Sequence, residues 1–148
     1  MEKIEMEISP NYVFIPGVRV CISRIAYNFG FDEQESYQIE TVVDEICSNA
    51  IEYGSLGKDK KIRLECAFDK DEMELIVQDS GGREFNVEEV FQRNLKSLQD
   101  EITEGVSSEE VKRGRGLIIV QKLVDKLDIK THKDGTTVRI IKKRHLTT

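Results

Sequence analysis

This sequence is poor in several residue types that mark specialised protein classes. Its 148 residues contain no tryptophan, two prolines, two histidines and three cysteines. Cys21, Cys47 and Cys66 are far apart and form no C-x-x-C pair, so neither a disulfide framework nor a zinc site is expected. Each of them lies in a segment of periodic apolar residues, which predicts buried thiols. His132 and His145 have no Cys or carboxylate at ligand spacing and are not expected to bind metal or to catalyse.

The sequence also lacks an excess of basic residues and any long apolar run. Lys and Arg number 22 against 28 Asp and Glu, giving a formal net charge of −6. Direct binding to nucleic acid depends on neutralised phosphates, so it is not expected. No stretch approaches the roughly 18 apolar residues of a membrane span, and the start of the chain does not resemble a signal peptide. We therefore expect a cytoplasmic protein without a membrane partner, built as one domain over residues 1–148.

The periodicity of apolar residues predicts an alternation of strands and helices. Alternation predicts a strand over residues 4–8, and spacing of three and four predicts a helix over 18–29 and another over 33–53. Asp32 and Glu35 are placed to form a capping box at the start of the second helix. Two further strands are predicted as a hairpin over 62–78.

The second half of the chain predicts a long connection followed by a helix and two strands. Residues 80–113 are highly charged and helical only around 87–98, which is too long for an ordinary loop and predicts a functional segment. The helix is predicted from Gly116 to Leu127, and the strands over 129–132 and 136–142. The order indicates an α+β fold: a two-layer sandwich with a mixed, mostly antiparallel sheet and helices on one face.

Glu45 and Asn49 form the first candidate site pair. They are four residues apart on the second predicted helix, so their side chains stack on one face. A carboxylate and an amide oxygen suit Mg²⁺, and the carboxylate could instead accept a proton from an attacking hydroxyl. A surface Glu beside an Asn on the same helix is the ordinary alternative.

Asp79 has the same strand parity as the apolar residues before it, so it points to the buried side where its strand ends. A buried carboxylate needs a donor, and the amino group of adenine would serve. Gly81 and Gly82 would let a base approach the backbone. Thr136 faces inward on the last strand, beside the presumed base pocket. An ordinary strand-ending turn remains the alternative, since Asp-Ser-Gly-Gly is also turn chemistry.

A glycine-rich segment, Gly114-Arg115-Gly116-Leu117, is predicted to open the next helix. Glycines before a helix expose backbone N–H groups, and the helix dipole favours anions there. Arg113 and Arg115 add positive charge. The segment therefore predicts a phosphate cradle, with a flexible entry to the helix as the alternative.

Together these segments resemble the ATP-binding fold shared by gyrase, Hsp90, histidine kinases and MutL, known as the GHKL or Bergerat fold. The likeness is greatest to the bacterial anti-sigma factor serine/threonine kinases. Residues 44–54, Asp-Glu-Ile-Cys-Ser-Asn-Ala-Ile-Glu-Tyr-Gly, resemble the N box of that branch, and 79–82 its first glycine box. Residues 113–117 resemble its second glycine box, and 135–138 its closing strand.

The resemblance implies a role for each of these residues. Glu45 would activate the attacking hydroxyl, Asn49 would hold Mg²⁺, and Asp79 would bind the adenine amino group. The remaining residues would contact the base or embrace the phosphates under a lid over about 83–113: Gly81, Gly114, Arg115, Gly116, Leu117 and Thr136. The family further implies a homodimer that holds a sigma factor and phosphorylates a serine on a small anti-anti-sigma antagonist.

Two positions depart from the pattern of the family. The usual Asp-x-Gly-x-Gly is Asp79-Ser80-Gly81-Gly82-Arg83 here, so the second glycine is lost. Tyr53 stands where a His often follows the N-box Asn. The first departure leaves the conformation of the lid open, and the second leaves the phosphate-side contacts open. Because the same fold supports both activities, a nucleotide-gated binding protein that does not transfer phosphate is the alternative. The catalytic half of a sensor histidine kinase is a weaker alternative, because no helical pair with a phosphorylatable His is present.

Overall fold

The computed structural model describes residues 1–54, 60–80, 92 and 108–145, without the side chains of 53, 54 and 108–115. Gly81, Gly82, most of the predicted lid and nearly all of the helix predicted over 87–98 lie outside the described residues. The side chains of Tyr53 and Arg115 are outside them as well.

A five-stranded sheet forms one layer of the fold. Its strands are β1 (Glu2–Ile8), β2 (Ile62–Phe68), β3 (Glu72–Gln78), β4 (Lys126–His132) and β5 (Gly135–Lys143). They lie in the order β1-β2-β3-β5-β4, and each pairing is antiparallel. The prediction of an α+β fold with a mostly antiparallel sheet is confirmed. Because β3 and β5 are neighbours, Gln78 pairs with Thr137 and the residues that follow β3 meet the start of β5.

Among the described residues, three α-helices form the second layer: α1 (Ile15–Asn28), α2 (Glu33–Gly54) and α3 (Ser108–Leu123). The capping box at the start of α2 is confirmed. Glu35 donates its N–H to Asp32 Oδ1 at 2.7 Å, and Asp32 donates its N–H to Glu35 Oε1 at 3.1 Å. Pro16 lies in the first turn of α1, where its missing N–H costs nothing.

The core lies between the helices and one face of the sheet. The strand residues on this face alternate with exposed or half-buried neighbours in β3 and β5, as a sheet covered on one side requires. Helices and strands contribute to a single cluster, whose largest fully buried side chains include Phe31, Phe68, Ile22, Ile39, Leu75 and Ile140.

The opposite face of the sheet carries charged side chains paired across strands. Lys3 Nζ lies 2.9 Å from Glu65 Oε1. Arg139 donates through Nε to Glu74 Oε2 at 2.9 Å and lies 3.5 Å from Asp128. The Lys3–Glu65 pair is more exposed than the partly buried Arg139–Glu74 pair. Because charged side chains lie along this face, we interpret it as the solvated side of the sandwich, where ion pairs contribute little to stability.

The predicted bounds of the third helix were wrong. The helix begins at Ser108 and ends at Leu123, and Leu127 lies in β4, opposite Ile140. Leu127 and Ile129 share a strand face, so a period of two, rather than the helical spacing, governs them. The sequence Ser-Glu-Glu at 108–110 is typical of a helix start, because carboxylates near the N-terminus favour the helix dipole.

Candidate functional site

Glu45 and Asn49 on α2 meet Gly116 on α3. A Cβ built on Gly116 would overlap Glu45 Oε2 and would lie 3.8 Å from Asn49 Nδ2. Gly116 is buried at this contact. The structure therefore brings together two predicted site residues of the N box and one of the second glycine box. In this conformation, α3 lies directly on the Glu45 carboxylate, and a side chain at position 116 would require the Glu45 side chain to move.

Glu45 is half-buried, and its surroundings make it a stronger base than an ordinary carboxylate. Burial raises the pKa of Glu45, and the negative charge of the adjacent Asp44 raises it further. Asp44 is itself held by Arg19 of α1, whose Nη1 donates to Asp44 Oδ1 at 3.0 Å. A carboxylate with a raised pKa, facing a helix rich in glycine, suits acceptance of a proton.

The amide of Asn49 has an unsatisfied end. Its Nδ2 is buried and has no hydrogen-bond partner among the described residues. A buried donor without a partner costs free energy, of order 1–3 kcal/mol, and calls for an explanation such as an absent ligand. Because the two ends of an amide are nearly equal in size, a half-turn would present Oδ1 to a cation instead. The site thus fits either a phosphate oxygen or Mg²⁺.

Asp79 and Thr136 are joined by reciprocal hydrogen bonds. Asp79 donates its N–H to the Thr136 carbonyl at 3.0 Å, and Thr136 donates its N–H to Asp79 Oδ1 at 3.1 Å. Both residues are buried, with 3% and 1% of their surface exposed. The prediction that Asp79 points to the buried side of the sheet is confirmed.

Gly135 makes this pairing possible. It has φ +145°, and a Cβ there would overlap the carbonyl oxygen of Asp79 and approach Ser80 Cα to 3.0 Å. Any larger residue would separate the start of β5 from the end of β3. The Gly-Thr pair at the start of the closing strand was recognised from the sequence, but the contact of Gly135 with Asp79 is visible only in the fold.

Thr136 Oγ1 is buried and has no hydrogen-bond partner among the described residues. The backbone N–H of the same residue donates to the Asp79 carboxylate, so both residues contribute polar groups to one buried region. A purine edge presents both a donor and acceptors, and a water can complete such a set. These two groups fit an adenine ring.

The phosphate cradle predicted at the opening of α3 is not formed in this conformation. Gly114 and Gly116 lie within the helix, six and eight residues after its first residue, Ser108. Amides inside a helix bond to carbonyls four residues earlier, so they are not available to phosphate. Glycine inside a helix costs about 1 kcal/mol relative to alanine, which makes this segment easy to unwind. Leu117 is 1% exposed and packs in the core.

Other predicted residues are placed as follows. Cys47 and Cys66 are buried as predicted, but Cys21 is exposed because it lies on the outer side of α1. Burial raises the pKa of the Cys47 thiol to about 12, so this thiol is inert. The His145 side chain is exposed, and its backbone N–H donates to Glu35 Oε2 at 2.9 Å. Among the described residues, no three His, Cys, Asp or Glu side chains are grouped to hold a metal.

None of the helices in the described ranges is long and apolar enough to cross a membrane.

Comparison with known proteins places the chain in a family. The histidine kinase-like ATPase domain matches residues 9–142. A serine-protein kinase RsbW of Bacillus pumilus is 29% identical over 147 residues, covering 96% of this chain and 86% of the relative. The RsbW of Bacillus subtilis is 27% identical, with 94% and 84% covered. An anti-sigma F factor of Clostridium perfringens is 27% identical over 128 residues, with 85% and 84% covered.

Two solved structures share the fold. The RsbU and RsbW domains of Rv1364c from Mycobacterium tuberculosis align with a TM-score of 0.67 at 15% identity, over 99% of this chain. This chain spans about a third of that protein, 34% of its length. The catalytic domain of the histidine kinase ThkA aligns with a TM-score of 0.51 at 17% identity, over 97% and 98% of the two chains. The resemblance drawn from the sequence is confirmed, and this chain belongs to the family of histidine kinase-like ATPase domains.

Proposed function

We propose that this protein is an ATP-dependent anti-sigma factor kinase. It binds a sigma factor, and it phosphorylates a serine or threonine of an anti-anti-sigma antagonist. The observation that carries the proposal is the contact of Gly116 with Glu45 and Asn49, because it joins a base, an unsatisfied amide and a glycine-rich helix. The names of the relatives, serine-protein kinase and anti-sigma F factor, support the same reading.

ATP would bind between the Glu45–Asn49 pair on α2 and the Asp79–Thr136 pair at the ends of β3 and β5. The Asp79 carboxylate would accept from the adenine amino group, with Thr136 Oγ1 supplying a second polar contact through water. Asn49 would contribute to Mg²⁺ binding, and the ion would take its remaining ligands from phosphate oxygens and water, as Mg²⁺ usually does. When bound, the ion would neutralise charge on the phosphates. Gly81 belongs to this proposal by its position in the sequence only.

Glu45 would orient the acceptor hydroxyl and take its proton. The hydroxyl oxygen of the antagonist would bond to the γ-phosphorus as the bond to the β-phosphate oxygen breaks, and ADP would leave. Phosphoryl transfer depends mainly on positioning and charge neutralisation, so one base and a few donors suffice. Burial and the neighbouring Asp44 raise the pKa of Glu45, which strengthens it as a base.

The glycine segment of α3 would have to change conformation for phosphate binding. Its amides become donors only if the first turns of the helix unwind, after which Gly114, Arg115 and Gly116 would surround the phosphates. The residues of the predicted lid, about 83–113, connect this segment to the end of β3 and would cover the nucleotide. We further propose a cytoplasmic homodimer, on the family resemblance alone.

Thermal unfolding in the presence of nucleotide tests the binding step. With Mg-ADP or Mg-ATP at about 100 times its Kd, linkage adds about 2.7 kcal/mol to the free energy of unfolding. Asp79→Asn should lose most of this stabilisation. No shift in melting temperature at millimolar nucleotide would contradict the proposal.

A radiolabelled phosphate assay tests the transfer step. Proteins that co-purify with this chain from the native host are incubated with the protein and γ-labelled ATP, and the labelled residue is identified by mass spectrometry. The wild type should label one serine or threonine of a small protein. Glu45→Gln should bind nucleotide but transfer at least about 100-fold more slowly, because general base catalysis contributes about that factor.

A nucleotide-gated binding protein without transfer is the second candidate. It is favoured by the closed contact of α3 with Glu45, which leaves the base covered in this conformation. This candidate predicts nucleotide-dependent capture of a partner with no label on any acceptor, and with the same result for Glu45→Gln as for the wild type.

A further inference from the structure

Lys142 is a buried lysine at the end of β5 opposite the candidate site. Its side chain is on the core face of the sheet, and the residue is 3% exposed. Burial lowers the pKa of Lys142, against the opposing effect of the Glu35, Asp125 and Asp32 carboxylates. A buried charge of this kind is costly, and an apolar residue of similar length would fill the same space. The charge therefore calls for a purpose other than packing.

The ammonium group joins two helices. Lys142 Nζ donates to the backbone carbonyl of Leu123, the last residue of α3, at 2.7 Å. It also donates to Gln38 Oε1 on α2 at 2.9 Å. The C-terminal end of a helix carries unsatisfied carbonyls and partial negative charge, so a cation is well placed there.

This link lies at a fixed distance from the contact at Gly116. Gln38 lies seven residues before Glu45 on α2. Leu123 lies seven residues after Gly116 on α3. Along both helices this is about 10 Å, at 1.5 Å per residue. The two helices run in opposite directions between the two contacts. The Lys142 link and the Gly116 contact thus mark two ends of one antiparallel helix pair.

The other contacts of α3 are less directional. Leu117, Ile118 and Val120 are buried against the core, and the hydrophobic effect that holds them there is non-directional. A hydrogen bond depends strongly on distance and angle. We propose that Lys142 is a positioning residue that sets the register of α3 against α2, and so determines how closely Gly116 approaches Glu45 and Asn49. The part of this inference that concerns nucleotide rests on the proposed function.

The test compares three variants of the full chain at a temperature where all are folded. Lys142→Met keeps the apolar stem and removes the donors, and Lys142→Arg restores them. Ile22→Val is the matched control, because Ile22 is fully buried in α1 and the loss of a methylene lowers stability without changing any residue of α3. The affinity for Mg-ADP is measured by calorimetry. Amide hydrogen exchange is measured over residues 117–123.

Lys142→Met should weaken Mg-ADP binding by about 2- to 30-fold, the range found for substitutions that act through a coupled element. It should also speed exchange in α3 more than in α1. Lys142→Arg should restore most of the affinity, and Ile22→Val should leave it unchanged. If Lys142 only stabilised the fold, Lys142→Met and Ile22→Val would change the Mg-ADP affinity and the exchange of α3 equally when compared at the same temperature below their melting points. That result would overturn the proposal.

Two further outcomes are decisive. Should Lys142→Met fail to fold, Gln38→Leu takes its place, since this substitution removes one acceptor of Lys142 and leaves its bond to Leu123. Gln38→Leu should change the Mg-ADP affinity and the exchange of α3 in the same direction but by less. Unchanged exchange in α3 would refute the positioning role of Lys142. Absence of Mg-ADP binding by the wild type would refute the proposed function and the nucleotide part of this inference. The exchange rates of α3 would still decide whether Lys142 sets its register.

Discussion

Replacing Gly114 by alanine tests whether helix α3 must unwind to bind nucleotide. Gly114 lies within the helix in the described conformation, although its sequence predicts a phosphate cradle. Alanine favours a helix over glycine by about 1 kcal/mol. If nucleotide binding requires a non-helical segment, Gly114→Ala stabilises the unbound form by that amount and opposes binding equally.

The magnitude follows from the affinity relation. A penalty of about 1 kcal/mol corresponds to a roughly fivefold increase in the Kd for Mg-ADP, since a factor of ten is 1.4 kcal/mol. Position 114 is preferred to 116, because a Cβ at Gly116 would overlap Glu45 and confuse the result. Isothermal titration gives the Kd, and urea denaturation without nucleotide gives the free energy of unfolding.

Gly17→Ala is the matched control. Gly17 lies in α1, and a Cβ built there has nothing within 4 Å. The substitution should therefore raise the free energy of unfolding by a similar amount and leave the Kd unchanged. An unchanged or lower Kd for Gly114→Ala, in a variant whose unfolding free energy has risen, would refute the unwinding of α3.

Three further predictions concern other parts of the molecule. The raised pKa of Glu45 means that the folded protein holds this proton more tightly than the unfolded chain does. The stabilising effect of this tighter proton binding is full below the ordinary carboxyl pKa of 4.5, and it is lost as the pH rises through the raised pKa of Glu45 in the folded protein. Glu45→Gln should thus match the wild type in urea unfolding at about pH 4 and exceed it at about pH 7; equal stability at both would contradict the raised pKa. Gly135→Ala should lose about 1–3 kcal/mol of stability, because position 135 has a positive φ and touches the Asp79 backbone; a loss near zero in thermal unfolding would show that β5 adjusts freely. In native protein a maleimide should label Cys21 and spare Cys47 and Cys66, as read by mass spectrometry, since only Cys21 is exposed; rapid labelling of Cys47 would show that α2 opens readily.

The fold was predictable because its signals are local and repeated. Alternation in β1 and in the β2–β3 hairpin, and the capping box of Asp32 and Glu35, each depend on neighbouring residues. The inward direction of Asp79 and Thr136 followed from strand parity alone. The pairing of the two residues required the adjacency of β3 and β5, which joins residues 57 positions apart in the chain.

The errors arose where two local signals competed. Leu123, Val124 and Leu127 fit a helical spacing, but Leu127 also alternates with Ile129, and pairing with β5 decided for the strand. At the other end of α3, glycines suggested a helix start, whereas the acidic residues after Ser108 mark it earlier. Cys21 follows the apolar spacing of α1 yet is exposed, because nothing in the described part of the chain covers that side of the helix. The link from Lys142 to Gln38 and Leu123 has no sequence signal, since it joins three elements far apart in the chain.

The solvated face of the sheet offers a place to tether the protein. Its cross-strand ion pairs, such as Lys3 with Glu65, are exposed and add little to stability, so single positions there can be replaced by an anchoring group. The part of the candidate site formed by Glu45, Asn49 and Gly116 lies in the helical layer, on the other side of the sheet. A sensor chip carrying the protein by this face would present α2 and α3 to the solution. The association and dissociation rates of partner proteins could then be measured with and without nucleotide in the buffer.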